Sequence, residues 1–249
     1  MVYYVDTHCH LDLFQGIRQS VQAEDSKPIK TITVTNSPLL WEPNQKLFGN
    51  CKNIRAALGL HPELAFERAH ETSNFSNFIN QTRYIGEIGL DGGSADPENW
   101  ASQLTVFQRI LETIRSSTPK IVSVHSRGAA KETIRELANI CGAGRHKVIL
   151  HWFTGDSESM NDALQLGCYF SINHRMVASK KGQNLIALLP SNRVLTETDA
   201  PFTFSDRVTN RETSLQITIG GLQKLWYIDY EHTKAVVWEN FRSLLSPAH

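Results

Sequence analysis

Eight short apolar runs, separated by amphipathic stretches, constrain the fold of this chain more than any other feature. They read VYYV at 2–5, KTITVTN at 30–36, IRAALGLH at 54–61, YIGEIGLD at 84–91, KIVSVHSR at 120–127, KVILHWFTG at 147–155, CYFSIN at 168–173 and RVLTETDAP at 193–201. Each has the length of one strand and is rich in β-branched or aromatic residues. Residues 99–116 place Leu104, Phe107, Ile110, Leu111 and Ile114 on a 3.6-residue stripe, with Asn99 as the expected cap. Helical patterns are also read over 128–140, 156–166, 182–189 and 231–246, and over 12–25 and 39–48. The helix at 231–246 is expected to close the ring. Strands alternating with helices pair in parallel through right-handed crossovers. Eight such units in 249 residues predict a TIM-type (β/α)8 barrel formed as one domain over 1–249. A doubly wound open sheet is the competing fold. The stretches 90–99 and 201–210 are expected to be irregular.

The predicted strands share a property that periodicity does not demand: their C-terminal ends carry chemistry. The first ends in His8 and His10, two apart and therefore on one face of a strand. The third reaches His61, the fourth holds Glu87 and ends at Asp91, and the fifth reaches His125 and Arg127. The sixth reaches His151, and the eighth carries Glu197 and Asp199. In a parallel barrel these ends converge on one mouth, where ligands bind. A lone histidine at a strand end is ordinarily a surface or hydrogen-bonded residue. Glu87 interrupts an apolar strand, and a buried carboxylate needs a partner. Imidazoles and carboxylates together suit zinc, manganese, iron or nickel, whereas an all-oxygen site favours magnesium. Two ions at one mouth need a shared acidic bridge, and Glu87 is placed for it. Asp199 is placed to bind metal and to orient or deprotonate an attacking water.

Composition narrows the alternatives. Twenty-five basic residues balance twenty-five acidic ones, which argues against a broad cationic nucleic-acid wrapper but leaves room for a local phosphate site. Cys9, Cys51, Cys141 and Cys168 form no CxxC pair and are expected to be reduced, mostly buried thiols of a cytoplasmic protein. The opening MVYYVDTHCH does not read as a signal peptide, and no apolar run approaches the roughly 20 residues that span a membrane.

The ordered set DTHCHLD at 6–12, ALGLHP at 57–62, IGEIGLD at 85–91, VHSR at 124–127, LHWFTGD at 150–156, CYFSIN at 168–173, LTETDAPF at 195–202 and ENFRSL at 239–244 resembles the TatD-type metal-dependent deoxyribonucleases. These are a branch of the amidohydrolase-like barrel superfamily, and the resemblance covers nearly the whole chain. It implies two divalent ions (magnesium, manganese or zinc) held by His8, His10, Glu87, His125, His151 and Asp199, with Glu87 bridging them. It implies a further or outer metal contact at Glu197, and substrate phosphate near His61 and Arg127. The activity it implies is hydrolysis of phosphodiester bonds by metal-activated water, in the manner of a 3′-to-5′ exonuclease on single-stranded DNA.

Arg127, Arg175, Lys180, Lys181, Arg207 and Arg211 are expected in or after the late barrel loops, where they can guide a nucleic-acid backbone. Trp152 is a candidate platform for a base, or else packs behind its strand; Phe202 and Phe204 are expected to pack in the core. The chain departs from the family pattern at Gly128, where an acidic residue usually follows HSR, at bulky Trp152, in the loop GGSADPEN and in SDRVTNRET. These departures touch the rim and spare the implied ligands. They leave open a special substrate, protein partners in an anti-phage defence complex, or a metal-binding subunit role. A phosphotriesterase-, lactonase- or amidohydrolase-like activity is the enzymatic alternative.

Overall fold

Each of the eight apolar runs contributes a strand. The computed structural model describes residues 2–93, 96–141 and 144–246. The strands are β1 (Tyr4–Cys9), β2 (Ile29–Thr33), β3 (Ile54–Ala56), β4 (Tyr84–Gly89), β5 (Ile121–His125), β6 (Lys147–His151), β7 (Tyr169–Ile172) and β8 (Val194–Thr196). Every ladder is parallel, in the orders β1-β2-β3 and β4-β5-β6-β7-β8. A parallel bridge between Leu58 and Ile85 joins the two sheets. The other seam closes through bonds between β8 and β1. The Thr7 hydroxyl donates to the Thr196 carbonyl at 3.1 Å, and the Asp199 N–H donates to the His8 carbonyl at 2.8 Å. The result is a closed (β/α)8 barrel, and the open-sheet alternative is set aside.

The helices are α1 (Ile17–Ser26), α2 (Trp41–Phe48), α3 (Ala65–Arg68), α4 (Thr72–Phe78), α5 (Pro97–Arg115), α6 (Ala130–Cys141), α7 (Ser157–Gln165), α8 (His174–Ala178), α9 (Lys180–Leu188), α10 (Arg211–Trp226) and α11 (Tyr230–Leu245). The longest, α5, buries Val106, Phe107, Ile110, Leu111 and Ile114 against the barrel, at the spacing of one helical face. Its cap is Asp96 rather than Asn99: the Asp96 side chain accepts from Glu98 N–H, and Pro97 follows at the first helical position. Asn99 instead accepts from Gln103 Nε2 at 2.8 Å.

Helix α10 corrects the expectation that one helix follows β8. Its paired glycines and β-branched residues lower helix propensity and obscured it in the sequence. Gly221 has a packing reason, since a Cβ there would lie 2.4 Å from Val177 of α8. Helix α11, on the 231–246 pattern, packs across the β8–β1 seam. Among the described residues, no helix is long and apolar enough to cross a membrane. All four cysteines are free, with Cys9, Cys141 and Cys168 buried.

Candidate metal centre

His8 reaches across the barrel to Ser123 of β5 and His10, just after β1, lines the mouth, whereas a register shift between Asp6 and Cys9 leaves Asp6 paired with Arg211 of α10 and Cys9 in the hydrophobic core. Glu87 lies in mid-β4 and is 1% exposed. The main chain at Gly59 runs so close behind it that a Cβ there would sit 2.2 Å from Glu87 N. Asp199 stands at φ 48, a left-handed conformation that aspartate tolerates, and its amide is pinned to the His8 carbonyl.

The two oxygens of Glu87 face different histidines. Oε2 lies 3.3 Å from His8 Nε2, 3.5 Å from His10 Nε2 and 3.5 Å from His61 Nε2. Oε1 lies 2.7 Å from His125 Nδ1 and 3.6 Å from His151 Nε2. Asp199 Oδ1 is 3.6 Å from His10 Nε2 and 3.9 Å from His8 Nε2. The His8 and His151 rings stack with centroids 3.7 Å apart. Three groups bring their ligand atoms within 4.8 Å of one another: His8, His151 and Asp199; His8, His10 and Glu87; and His61, Glu87 and His125.

The donor set fits divalent cations. His8 Nδ1 is bonded to Ser123 Oγ at 2.7 Å, while its Nε2 is buried, aimed at the carboxylates and without a hydrogen-bond partner. Such an orphan is costly unless a ligand satisfies it. His61 differs from the others. Its Nδ1 accepts the Glu63 N–H at 3.2 Å, so the ring proton of the neutral form resides on Nε2. That nitrogen is a donor, suited to an anion rather than to a metal.

Glu197 stands behind His151. It lies 3.0 Å from His151 Nδ1, accepts from Asn173 Nδ2 at 2.9 Å and is also bonded to the Ser171 hydroxyl. It holds the ring so that Nε2 faces Glu87, as outer carboxylates do for metal-binding histidines. It is in none of the three clustered groups.

The electrostatics are those of a centre with surplus imidazole. Burial, reinforced by the neighbouring His151, pushes His8 down to about 4. Burial also lowers His151, but Glu197 with Asp199 and Glu87 outweighs it and lifts the group to about 10. In His125, burial is outweighed by the hydrogen bonds to Asp91 and Glu87, and the ring rises to about 9. Burial raises Glu87, yet His61, His8 and His125 together hold it well below the carboxylate range. Burial raises Glu197, and burial lowers His61.

A cleft of about 470 Å³ opens over the cluster, lined by residues that include His61, Glu63, Arg127, Trp152 and Phe202. Arg127 is exposed and paired with Asp91 and Glu63. Trp152 is half-buried and faces the cleft from a left-handed backbone at φ 39, a strain of about 1–3 kcal/mol. Phe202 corrects its expected core placement: it is 56% exposed and lies edge-on to His10 at 5.0 Å. Arg175 lies 5.9 Å from the Trp152 ring centroid and donates to the Phe202 carbonyl at 3.3 Å, so it braces this wall from behind. Arg175 and Arg207 are exposed but do not line the cleft. Arg211 is not a loop cation at all. It is 1% exposed and ion-paired to Asp6 and Glu24. Gly128 sits at φ 66 against Gly92, where a Cβ on Gly92 would lie 2.3 Å from the Gly128 carbonyl oxygen, so the rim here is pinched backbone.

Ser123, Ser171 and Asn173 are not singled out for the site by sequence, and Asp91 is read there only as an acid at the end of the fourth strand.

A model of the TatD-related DNase family matches residues 5–246. The chain belongs to that family. It is 28% identical over 247 residues to an uncharacterized metal-dependent hydrolase of Methanocaldococcus jannaschii, covering 96% of this chain and 95% of that one. An uncharacterized metal-dependent hydrolase of Buchnera aphidicola is 30% identical over 220 residues, covering 81% and 82%. The crystal structure of the TatD homolog YJJV from Escherichia coli superposes with a TM-score of 0.83 at 23% identity, over 98% of both chains, and shares the fold. The chain is thus a TatD-type hydrolase whose barrel mouth gathers groups able to hold divalent metal.

Proposed function

We propose that this TatD-family hydrolase is a deoxyribonuclease that cleaves phosphodiester bonds from the 3′ end of single-stranded DNA, using two divalent ions. The observation that carries this reading is the two-faced Glu87, with His8 and His10 on one carboxylate oxygen and His125 and His151 on the other. In this reading His8, His10, Asp199 and Glu87 would hold one ion, and Glu87, His125 and His151 would hold the second. Divalent ions bound there polarise the attacked phosphoryl group and ease deprotonation of water.

The protein's own residues supply the rest. His61 presents an Nε2–H donor to a phosphate oxygen, and Arg127 offers its guanidinium from the cleft wall. Asp199, lining the same cleft, accepts the proton of the attacking water as its oxygen bonds to phosphorus; the phosphorus–sugar oxygen bond breaks, and the departing oxygen takes up a proton from solvent to leave as the sugar hydroxyl. Trp152 and the exposed Phe202 offer aromatic faces to an unpaired base, a contact that tolerates any sequence. Among the described residues no lysine lines the cleft, and Lys120 is bonded elsewhere, to the Ile79 and Thr82 carbonyls. That disfavours a barrel hydrolase bridged by a modified lysine.

The test is digestion of end-labelled single-stranded DNA with manganese or magnesium, beside RNA, a phosphotriester and a lactone. Progressive shortening of 5′-labelled DNA is expected, with Glu87→Ala and Asp199→Ala folded but inactive. Turnover of the triester or lactone with intact DNA would reject the reading.

A further inference from the structure

We propose that Asp91 is a positioning residue that selects Nδ1 as the coordinating nitrogen of His125 and, through the same carboxylate, aims Arg127 at the cleft. Asp91 follows β4 and is buried. Its main chain is clamped from both sides by Gln103 of α5, whose Oε1 accepts the Asp91 N–H at 2.7 Å and whose Nε2 donates to the Asp91 carbonyl at 3.2 Å. The carboxylate is fully engaged. Oδ1 accepts from Gly93 N–H at 2.7 Å and from Arg127 Nη2 at 3.2 Å. Oδ2 lies 2.6 Å from His125 Nε2 and 2.9 Å from Arg127 Nε. Gly93 is small for a reason: a Cβ there would be 2.7 Å from Oδ1.

An ionised carboxylate only accepts hydrogen bonds, so the His125 Nε2 facing it must carry the proton. Once the ring is neutral, the remaining lone pair is on Nδ1, and Nδ1 is the nitrogen that faces Glu87 Oε1 at 2.7 Å. The same construction occurs a second time in this barrel with the ring reversed. Glu197 holds His151 by Nδ1 and leaves Nε2 facing that same Glu87 oxygen. Two histidines on adjacent strands therefore offer opposite nitrogens to one carboxylate oxygen, and each is held by its own acid.

The two acids differ in what else they touch. Glu197 is sealed among Ser171 and Asn173, whereas Asp91 shares its carboxylate with Arg127, whose side chain is 62% exposed. Asp91 thus ties the metal side of the cleft to its substrate side. The inference rests on the metal reading of the site and is independent of which ester is cleaved.

The experiment is imidazole nitrogen NMR on histidine-labelled, cadmium-loaded protein, with a calorimetric manganese titration of the apoprotein. In the wild type, His125 is expected to carry its proton on Nε2 and to couple to cadmium through Nδ1. In Asp91→Asn the amide donates to Nε2 and drives the proton to Nδ1, the effect of an Asp-to-Asn change behind a catalytic histidine. The affinity of one manganese ion is expected to fall by about 10–100-fold, with the other unchanged. Arg127→Ala is expected to keep both affinities and to raise KM for an anionic ester substrate. Coupling through His125 Nε2 overturns the proposal even if the Asp91 variant does not fold. So do unchanged affinities in Asp91→Asn, or an equal loss in Arg127→Ala.

Discussion

Two buried polar networks share strand β1, begin two residues apart, and are built in opposite ways. Around Asp6 everything is matched. Its carboxylate accepts from Thr198 N–H at 2.9 Å, Thr198 Oγ1 at 2.7 Å and Arg211 Nε at 2.8 Å. Arg211 places its other N–H groups on Glu24 at 3.1 Å and on Thr31 at 2.6 Å. Around His8 and His10, imidazoles crowd one another, His8 stacks on His151, and buried ring nitrogens lack partners. The first network is complete within the chain and locks α10 to the barrel. The second leaves buried ring nitrogens that nothing in the chain satisfies and that a cation would complete. Burial and charge are common to both, so stoichiometry of donors and acceptors is what separates a structural lock from a binding centre.

The largest way to break this comparison is Glu87→Gln. Hydrolysis is expected to fall about 10²–10³-fold, the scale of losing transition-state charge stabilisation, with an unchanged circular dichroism spectrum. An active Glu87→Gln protein ends the comparison. Arg211→Ala should act on the other axis. It strands Asp6 in the interior and is expected to cost about 3–5 kcal/mol in urea unfolding, with unaltered manganese affinity of the folded protein. Loss of metal binding in that variant would show the two networks to be one. Next in size is Trp152→Ala in the inactive Glu87→Gln background. Fluorescence anisotropy should show single-stranded DNA binding weakened by about 1–3 kcal/mol, the scale of one stacked base. No change would return Trp152 to a packing role.

A further effect is in pH and sharpens the contrast. His151 and His125 titrate in the metal-free fold near 10 and 9, above the ordinary histidine value of 6.5. Between 6.5 and those values the folded protein binds more protons than the unfolded chain, so stability falls as pH rises. His8, lowered to about 4, acts the other way, and stability falls as pH drops from 6.5 towards 4. Chelated protein should therefore be most stable near neutrality in urea titrations. Metal should flatten the alkaline limb, because coordination needs the deprotonated rings. An alkaline limb that is the same with and without metal would contradict the assignment of His125 and His151 to the centre.

The strands and the polar character of their ends were legible in the sequence because both are local: a strand is a short apolar run, and its last residues are read directly. The convergence of His8, His10, His61, Glu87, His125, His151 and Asp199 followed once eight parallel units were counted. What stayed hidden depended on distance in the chain. Arg211 reads as a rim cation until its partner Asp6, on a strand more than two hundred positions away, is known. Helix α10 was masked by two adjacent glycines, of which Gly221 packs against Val177 of α8. Phe202 reads as core by residue type, yet it faces the cleft beside His10. Asp91 and Glu197 were visible as acids, but which ring nitrogen each holds is a matter of geometry alone.

The most direct test is metal analysis of the purified protein together with anomalous diffraction from manganese-loaded crystals. The account predicts two ions per chain on opposite sides of Glu87, one against His8, His10 and Asp199 and the other against His125 and His151. A protein that takes up no stoichiometric metal, or that binds it elsewhere and leaves Glu87 bare, would contradict it.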